Sequence, residues 1–354
     1  MRTVTLKQIA EELNISVTTV SKALKGYSDV SKETKKRVLD LAERLDYTPN
    51  SFAVSLRMRQ SKIIGVIIPD TVHYFFSIVI KGILKVAEQH DYMVILMQSN
   101  EKFELEKKQI DLLLSKGVDG ILISLSNNTK RFDHLQKVIK HDIPLLLFDK
   151  IAKTVNCSKV YIDDRKAAYD AVTYLINKGY RRIAHFRGDL NPQNSIDRFL
   201  GYKQALLDNN IPFDPKLVYM CNNNTDFDDG YNNAKQMFED HGHTIDAVFT
   251  ITDLISIGII KYCDDNGIKV PDDLALFGFS NWFMSSVINP ELSTVEQHPF
   301  KIGETSAEIL FDEIKRKLND EPIEYKKVVI PTELVIRKSS EKSENNPIKK
   351  VINL

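Results

Sequence analysis

The chain has 354 residues, 43 % of them hydrophobic, and 48 basic side chains balance 48 acidic ones. That length suits two or three domains with sizeable cores. No apolar run approaches about eighteen residues and no charged-then-apolar leader opens the chain, which argues against a membrane span or export.

Val4 to Ala10 is expected to open a short helix, with Thr5 and Gln8 as a capping box. Asn14-Ile15-Ser16 breaks it, and Ser16 caps a second helix from Val17 to Leu24. Two short helices around a tight turn predict a helix-turn-helix, whose second helix enters the major groove. Val20, Ala23 and Leu24 face inward at helical spacing, which turns small hydroxyl side chains and lysines outward. The residues expected at DNA are Thr5, Leu6, Ser16, Val17, Thr18, Thr19, Ser21, Lys22 and Lys25, with Lys22 reading a base edge beside Val17 and Thr18. Ser31 caps a third helix carrying Val38, Leu41, Ala42 and Leu45, and Tyr47-Thr48-Pro49 ends it. Residues 1–62 hold twelve Lys and Arg against seven Asp and Glu, a net +5, while the rest hold 36 against 41, a net −5. A basic head on a mildly acidic body fits a polyanion at one end.

From Lys62 onward strands and helices alternate. Short apolar runs at 63–68, 93–97, 120–123 and 144–148 predict buried parallel strands, with helices near 77–90, 102–116 and 131–141 between them. A second cycle is expected to start with the strand at 160–162. Strands at 182–186, 217–220, 247–250 and 274–277 follow, with helices at 165–178, 195–209, 229–240 and 253–266. Two such cycles imply an α/β fold of two doubly wound parallel-sheet lobes behind an all-α head. Further strands are expected at 294–295, 326–330 and 334–336, with a helix over 300–318, and residues 339–354 read as a loose polar tail.

The residues Val4-Thr5-Leu6-Lys7-Gln8-Ile9-Ala10, Ser16 to Leu24, Val30 to Thr34, Leu45 to Asn50 and Ile64 to Asp70 resemble the LacI family of bacterial transcription regulators, and the resemblance runs to about Arg337. It implies a head over 1–48, a hinge over 49–61 and a periplasmic-binding-protein-like core over 62–338. The N-lobe would comprise about 62–161 and 293–323, and the C-lobe about 162–292 and 324–338. In the hinge it implies that Leu56 wedges into the minor groove and that Ala53 faces a dimer mate. Val54 stands where the family often has arginine, and Arg57 and Arg59 are close enough to take over phosphate contacts.

Ligands of open α/β sheets bind at strand ends near the switch point. Candidates there are Asp70 to Phe76, Ser124 to Ser126, Asp149, Thr252, Asp253, Ser280 and Asn281. The resemblance adds Arg198, in Arg198-Phe199-Leu200-Gly201-Tyr202, as the ligand arginine. Phe75 and Phe76 could cover a sugar or purine face or be core. Ser280-Asn281 replaces a family acidic pair, which raises the expectation of an unusual or negatively charged ligand. No catalytic constellation and no cofactor motif is present, and His241-Gly242-His243 lacks a third metal ligand. The three cysteines, Cys157, Cys221 and Cys263, show no CxxC spacing and read as reduced cytoplasmic thiols. The expectation is thus a cytoplasmic, homodimeric repressor that binds double-stranded operator DNA and a small effector, most simply a sugar. Transport solute binding, sugar-processing catalysis, and a purine or protein corepressor remain as alternatives.

Overall fold

The computed structural model describes residues 4–47, 60–221 and 227–342. The chain divides into two compact units, residues 1–61 and 62–354. Residues 48–59, which contain most of the expected hinge including Ala53, Leu56, Arg57 and Arg59, lie outside the described residues.

The head has three helices: α1 (Leu6–Leu13), α2 (Val17–Leu24) and α3 (Lys32–Arg44). Each begins at a hydroxyl side chain that accepts from the backbone three residues on: Thr5 from Gln8, Ser16 from Thr19 and Ser31 from Thr34. The Gln8 side chain returns the bond to the Thr5 amide at 2.8 Å, completing the capping box. Asn14 takes the left-handed conformation, φ 54°, that lets α1 stop and the chain turn into α2. Ile9, Val20, Val38 and Leu41 fill the small core, with Leu24 and Leu45 packed at its edge.

The body has two lobes, each an open parallel sheet covered by helices. In the first, β1 (Ile63–Ile68), β2 (Met93–Gln98), β3 (Gly120–Ile123), β4 (Leu145–Phe148) and β5 (Ser158–Ile162) alternate with α4 (Tyr74–Gln89), α5 (Phe103–Ser115) and α6 (Asp133–Lys140). In the second, β6 (Ile183–Arg187), β7 (Val218–Met220), β8 (Ala247–Thr250) and β9 (Ala275–Phe277) alternate with α8 (Gln193–Asp208), α9 (Phe227–His241) and α10 (Asp253–Asp265), after α7 (Asp164–Asn177). Two late strands, β10 (Thr294–Glu296) and β12 (Glu333–Val335), form an antiparallel pair. Between them come α11 (Pro299–Leu318) and β11 (Lys327–Ile330). The N-lobe sheet runs β11-β5-β4-β3-β1-β2 and the C-lobe sheet β7-β6-β8-β9. Most strands are buried on both faces, which is why they read as continuous apolar runs.

Three expectations about the strands and lobes need correction. The strand expected to restart the cycle at 160–162 is the last strand of that first run, because Leu146, Leu147 and Phe148 of β4 pair with Ser158, Lys159 and Val160. Residues 324–330 belong to the N-lobe, not the C-lobe, since β11 adds parallel to β5 with Val328 opposite Val160. Residues 293–296 lie with the C-lobe, where Ser293 bridges to Phe277 and β10 pairs with β12. The chain therefore crosses between lobes near 163, 297 and 331.

The polar end is not loose from residue 339. Ser339 and Ser340 are fully buried. Ser339 Oγ donates to the Leu276 carbonyl and accepts from the Ser293 amide, both at 2.8 Å. Small hydroxyls there satisfy backbone groups beside β9. Residues 343–354 lie outside the described residues.

Candidate functional site

In the head, helical spacing brings Val17, Thr18, Ser21, Lys22 and Lys25 to one side of α2, opposite the buried Val20 and Ala23. Val17 is 44 % exposed, unusual for an aliphatic side chain with a core available. The other candidates have structural duties. Leu6 packs against the head core, the Thr5 hydroxyl serves the capping box, and Ser16 Oγ lies 2.8 Å from Thr19 Oγ1. Lys22 Nζ forms an exposed ion pair with Asp29, and that partner was not read from the sequence.

Between the lobes lies a cavity of about 440 Å³. Its N-lobe wall comes from the ends of β1 to β4, and its C-lobe wall from segments following β6, β8 and β9. Asp70, His73, Phe75, Phe76, Asp149, Arg198, Thr252 and Ser280 all line it, as expected. Phe75 and Phe76 both border the cavity and pack into the core beneath it.

Arg198 reaches the cavity because α8 lies hard against α7. A Cβ on Gly201 would stand 2.2 Å from the Arg165 carbonyl oxygen, so that contact requires glycine. Close approach puts Arg198 Nε 2.7 Å from Asp164 Oδ1. Its other groups donate to the Ile251 carbonyl at 2.8 Å and to Gln297 Oε1 at 3.4 Å, while its plane lies over Phe279 at 3.6 Å. Asp164 and Gln297 sit at two of the three crossings between lobes, so one guanidinium ties the cavity wall to two crossing segments. Burial raises the Asp164 carboxyl to about 6 despite the adjacent Arg198.

Asn127 Nδ2 donates across the cleft to Asp189 Oδ2 at 2.7 Å. Lys153 pairs with Asp197 at 3.2 Å, again from one lobe to the other. Asn127 is held by Glu101, which accepts from its amide at 2.6 Å, and by Lys150, whose Nζ also lies 2.7 Å from Glu101. Below this loop the buried Glu106 accepts from the Ser126 amide, from Thr129 and from His134, at 2.6, 2.9 and 2.7 Å. Asp149 accepts from Ser124 at 3.3 Å, and burial raises its carboxyl. Burial lowers His73 to about 4, so its ring is neutral near pH 7.

These partners overturn several assignments. Asp253 is consumed by structure: it accepts from the Trp282 amide, Ser285 and Thr294 at 2.7, 2.7 and 2.6 Å. Asn281 braces Glu296 and Arg337 and does not line the cavity. Ser124 to Ser126 support the floor from below, and it is Asn127 and Asn128 that line it. The expected preference for a negatively charged ligand loses its basis. Lys150 and Arg198, the cations among the described lining residues, both have carboxylate partners already, and Asp70, Asp149 and Asp189 add negative charge.

The sequence reading missed Gln98, Glu101, Asn127, Lys150, Asp189 and Gln297. A usable signal existed for several: polar residues gather at the ends of some parallel strands, as Gln98 to Glu101 do at β2 and Asp149-Lys150 at β4. His241 accepts from Arg182 at 3.2 Å, and no group of three metal-ligating side chains occurs among the described residues. The three cysteines are buried and unbridged.

Comparison with known proteins agrees with both units. A family model described as bacterial regulatory proteins, lacI family, matches residues 5–50. One described as periplasmic binding proteins and sugar binding domain of LacI family matches residues 61–338. Catabolite control protein A of Priestia megaterium is 32 % identical over 338 residues, covering 95 % of this chain and 99 % of its own. Ribose operon repressor of Halalkalibacterium halodurans is 30 % identical over 344 residues, covering 97 % and 98 %. The crystal structure of the lac repressor dimer bound to operator and the anti-inducer ONPF matches with a TM-score of 0.83 at 23 % identity, covering 96 % of this chain and 99 % of that one, a likeness of fold.

Proposed function

The chain belongs to the LacI family of bacterial regulatory proteins, and on that premise we propose that it is a cytoplasmic, homodimeric repressor whose hold on a pseudo-palindromic operator is set by a small polyhydroxylated ligand in the cleft. The observation that carries this is the cavity between two lobes that touch through Asn127 and Asp189, with Arg198 fastened to two of the crossing segments. A ligand that fits one lobe arrangement better than another shifts their populations, and so biases whatever the lobes control.

Side chains favour a sugar. Carboxylates that accept, and carboxamides that donate as well as accept, line the cavity, and two phenyl rings offer an apolar face for C–H surface. The name of one relative, ribose operon repressor, points the same way. The dimer reading rests on the edge of the N-lobe sheet. Strand β2 lies at that edge with Met93 65 % and Leu96 41 % exposed, and Leu84 of α4 is 47 % exposed. Bare apolar strand edges are ordinarily covered, here by a second copy. Transport solute binding leaves the three-helix head without a use. Among the described residues no helix is long and apolar enough to cross a membrane.

The test is to select a binding sequence from random duplex DNA with the full chain, then titrate sugars against the selected complex. A symmetric site whose affinity changes with one sugar supports the reading. An unsymmetric selection, or none, overturns it.

A further inference from the structure

A second cavity, of about 300 Å³, opens between the lobes beside the crossing segment at 163. Ile151, Ile162 and Val329 line it from the N-lobe, and Asp164, Gln193 and Asp197 from the C-lobe. Four carboxylates border it, those of Asp149, Asp163, Asp164 and Asp197, against the cations of Lys153 and Arg165, a net −2. Lys153 is already paired with Asp197 at 3.2 Å, and Arg165 is exposed and donates to Gln204 at 3.5 Å. Two of the carboxylates are more than nine-tenths buried, with Asp164 7 % and Asp149 9 % exposed. Each has an oxygen that meets no hydrogen-bond donor among the described residues: Arg198 reaches only Asp164 Oδ1, and Ser124 only Asp149 Oδ2. They also act on each other. Burial, and then the neighbouring Asp149 and Asp197, raise the Asp164 carboxyl to about 6 against the pull of Arg198.

We propose that this cavity is a second binding site, separate from the larger one, and that it takes a small organic dication, two ammonium groups joined by a short alkyl chain. A cleft whose walls carry one sign of charge concentrates ligands of the other. Between low-dielectric walls a carboxylate oxygen without a donor is costly. A cation that donates to Asp149 Oδ1 and Asp164 Oδ2 relieves both that cost and their mutual repulsion. Two ammonium groups match the net −2, and Ile151, Ile162 and Val329 give the methylenes an apolar wall. A bare metal ion lacks its ligands here, since no group of three metal-ligating side chains occurs among the described residues. An anion meets a field of its own sign. Arg198 lines the larger cavity and Asp164 this one, so their ion pair at 2.7 Å links the two sites.

The experiment is calorimetry on the full chain without DNA, at low salt, with putrescine as the probe and the diol of the same chain length as its uncharged counterpart. Putrescine should bind and the diol should not. Asp163→Asn removes one charge from the cavity and keeps an oxygen to accept from the Lys166 amide, now at 3.0 Å, so α7 stays capped. Gln193→Lys keeps a donor for Asp197, which Gln193 meets at 2.9 Å, and adds a third cation to the wall. Neither residue lines the larger cavity. Each variant should melt close to the parent and bind putrescine about ten-fold more weakly or worse, the scale of a lost charge-assisted contact. Putrescine that does not bind, that binds no better than the diol, or that binds both variants as tightly as the parent overturns the site. Binding of magnesium chloride that Gln193→Lys abolishes would make this a metal site and overturn the organic cation.

Discussion

Asn127 donates to Asp189 across the cleft at 2.7 Å, from the loop after β3 in one lobe to the loop after β6 in the other. Asn127 is itself clamped by Glu101 and Lys150, so the bond joins a braced loop to the opposite lobe. This is a contact that lobe opening must break.

Asp189→Ala should therefore favour the open arrangement. A hydrogen bond to a half-buried carboxylate contributes about 1 kcal/mol here, which corresponds to roughly a five-fold loss of ligand affinity if the ligand needs the closed form. Calorimetry with the identified ligand measures it. Unchanged affinity would show that this bond does not report closure.

Arg198 lines the cavity and also holds a buried ion pair with Asp164. Arg198→Ala would strand the Asp164 carboxylate in a buried site, a loss of about 3–5 kcal/mol for a broken buried pair. The structure therefore predicts a destabilised core, not a normally folded variant that merely ignores ligand. Its deficit should grow with pH: the Asp164 carboxyl is already raised to about 6, so stability linked to its protonation is present below the unfolded value and lost as pH rises through the folded one. Melting temperatures at pH 5 and pH 8 decide this, and a variant no less stable at pH 8 contradicts it. Adding Asp164→Asn should recover much of the loss.

The same linkage applies at Glu313 of α11. Burial raises its carboxyl to about 7, with Ser158 donating to one oxygen and the other left without a partner. Stability tied to this proton is complete below the ordinary carboxyl range and is lost as pH rises through about 7. Glu313→Gln should flatten the fall in melting temperature between pH 6 and pH 8 and exceed the parent at pH 8. Parallel melting curves would refute it.

In the head, Lys22, the residue expected to read a base edge, is paired with Asp29. Lys22→Ala should cost about 1–3 kcal/mol at the selected site and relax preference at one symmetric base pair. Asp29→Asn frees the lysine and should tighten binding to random duplex, most visibly at low salt. Anisotropy titrations at two salt concentrations separate the roles: an equal loss for Lys22→Ala on selected and random DNA would make Lys22 a phosphate contact.

Local features were legible in the sequence because local chemistry causes them. Thr5 with Gln8, Ser16 and Ser31 mark helix starts by satisfying nearby amides. The run at 63–68 marks a strand because both its faces are buried. Arg198 and Gly201 stood in a readable motif, although the reason for the glycine, contact with the Arg165 carbonyl, needed coordinates. What stayed hidden depends on partners far along the chain. Nothing near 327–330 announces a pairing with 159–162, and nothing near Ser339 announces the Leu276 carbonyl. Arg198 reads in the sequence as a cation free for a ligand, and only the fold places Asp164 beside it; nothing in the sequence pairs Lys150 with Glu101.

The measurement closest to the central claim combines both units in one titration. The full chain is bound to its selected duplex, and the identified sugar is added while DNA anisotropy is followed together with the emission of Trp282. This single tryptophan faces Tyr74 across the lobe boundary, with ring centroids 6.4 Å apart. The account predicts that operator affinity changes by about ten-fold or more over the same ligand range in which the tryptophan signal moves, since one lobe equilibrium governs both. A tryptophan signal that saturates while operator affinity stays constant would contradict it.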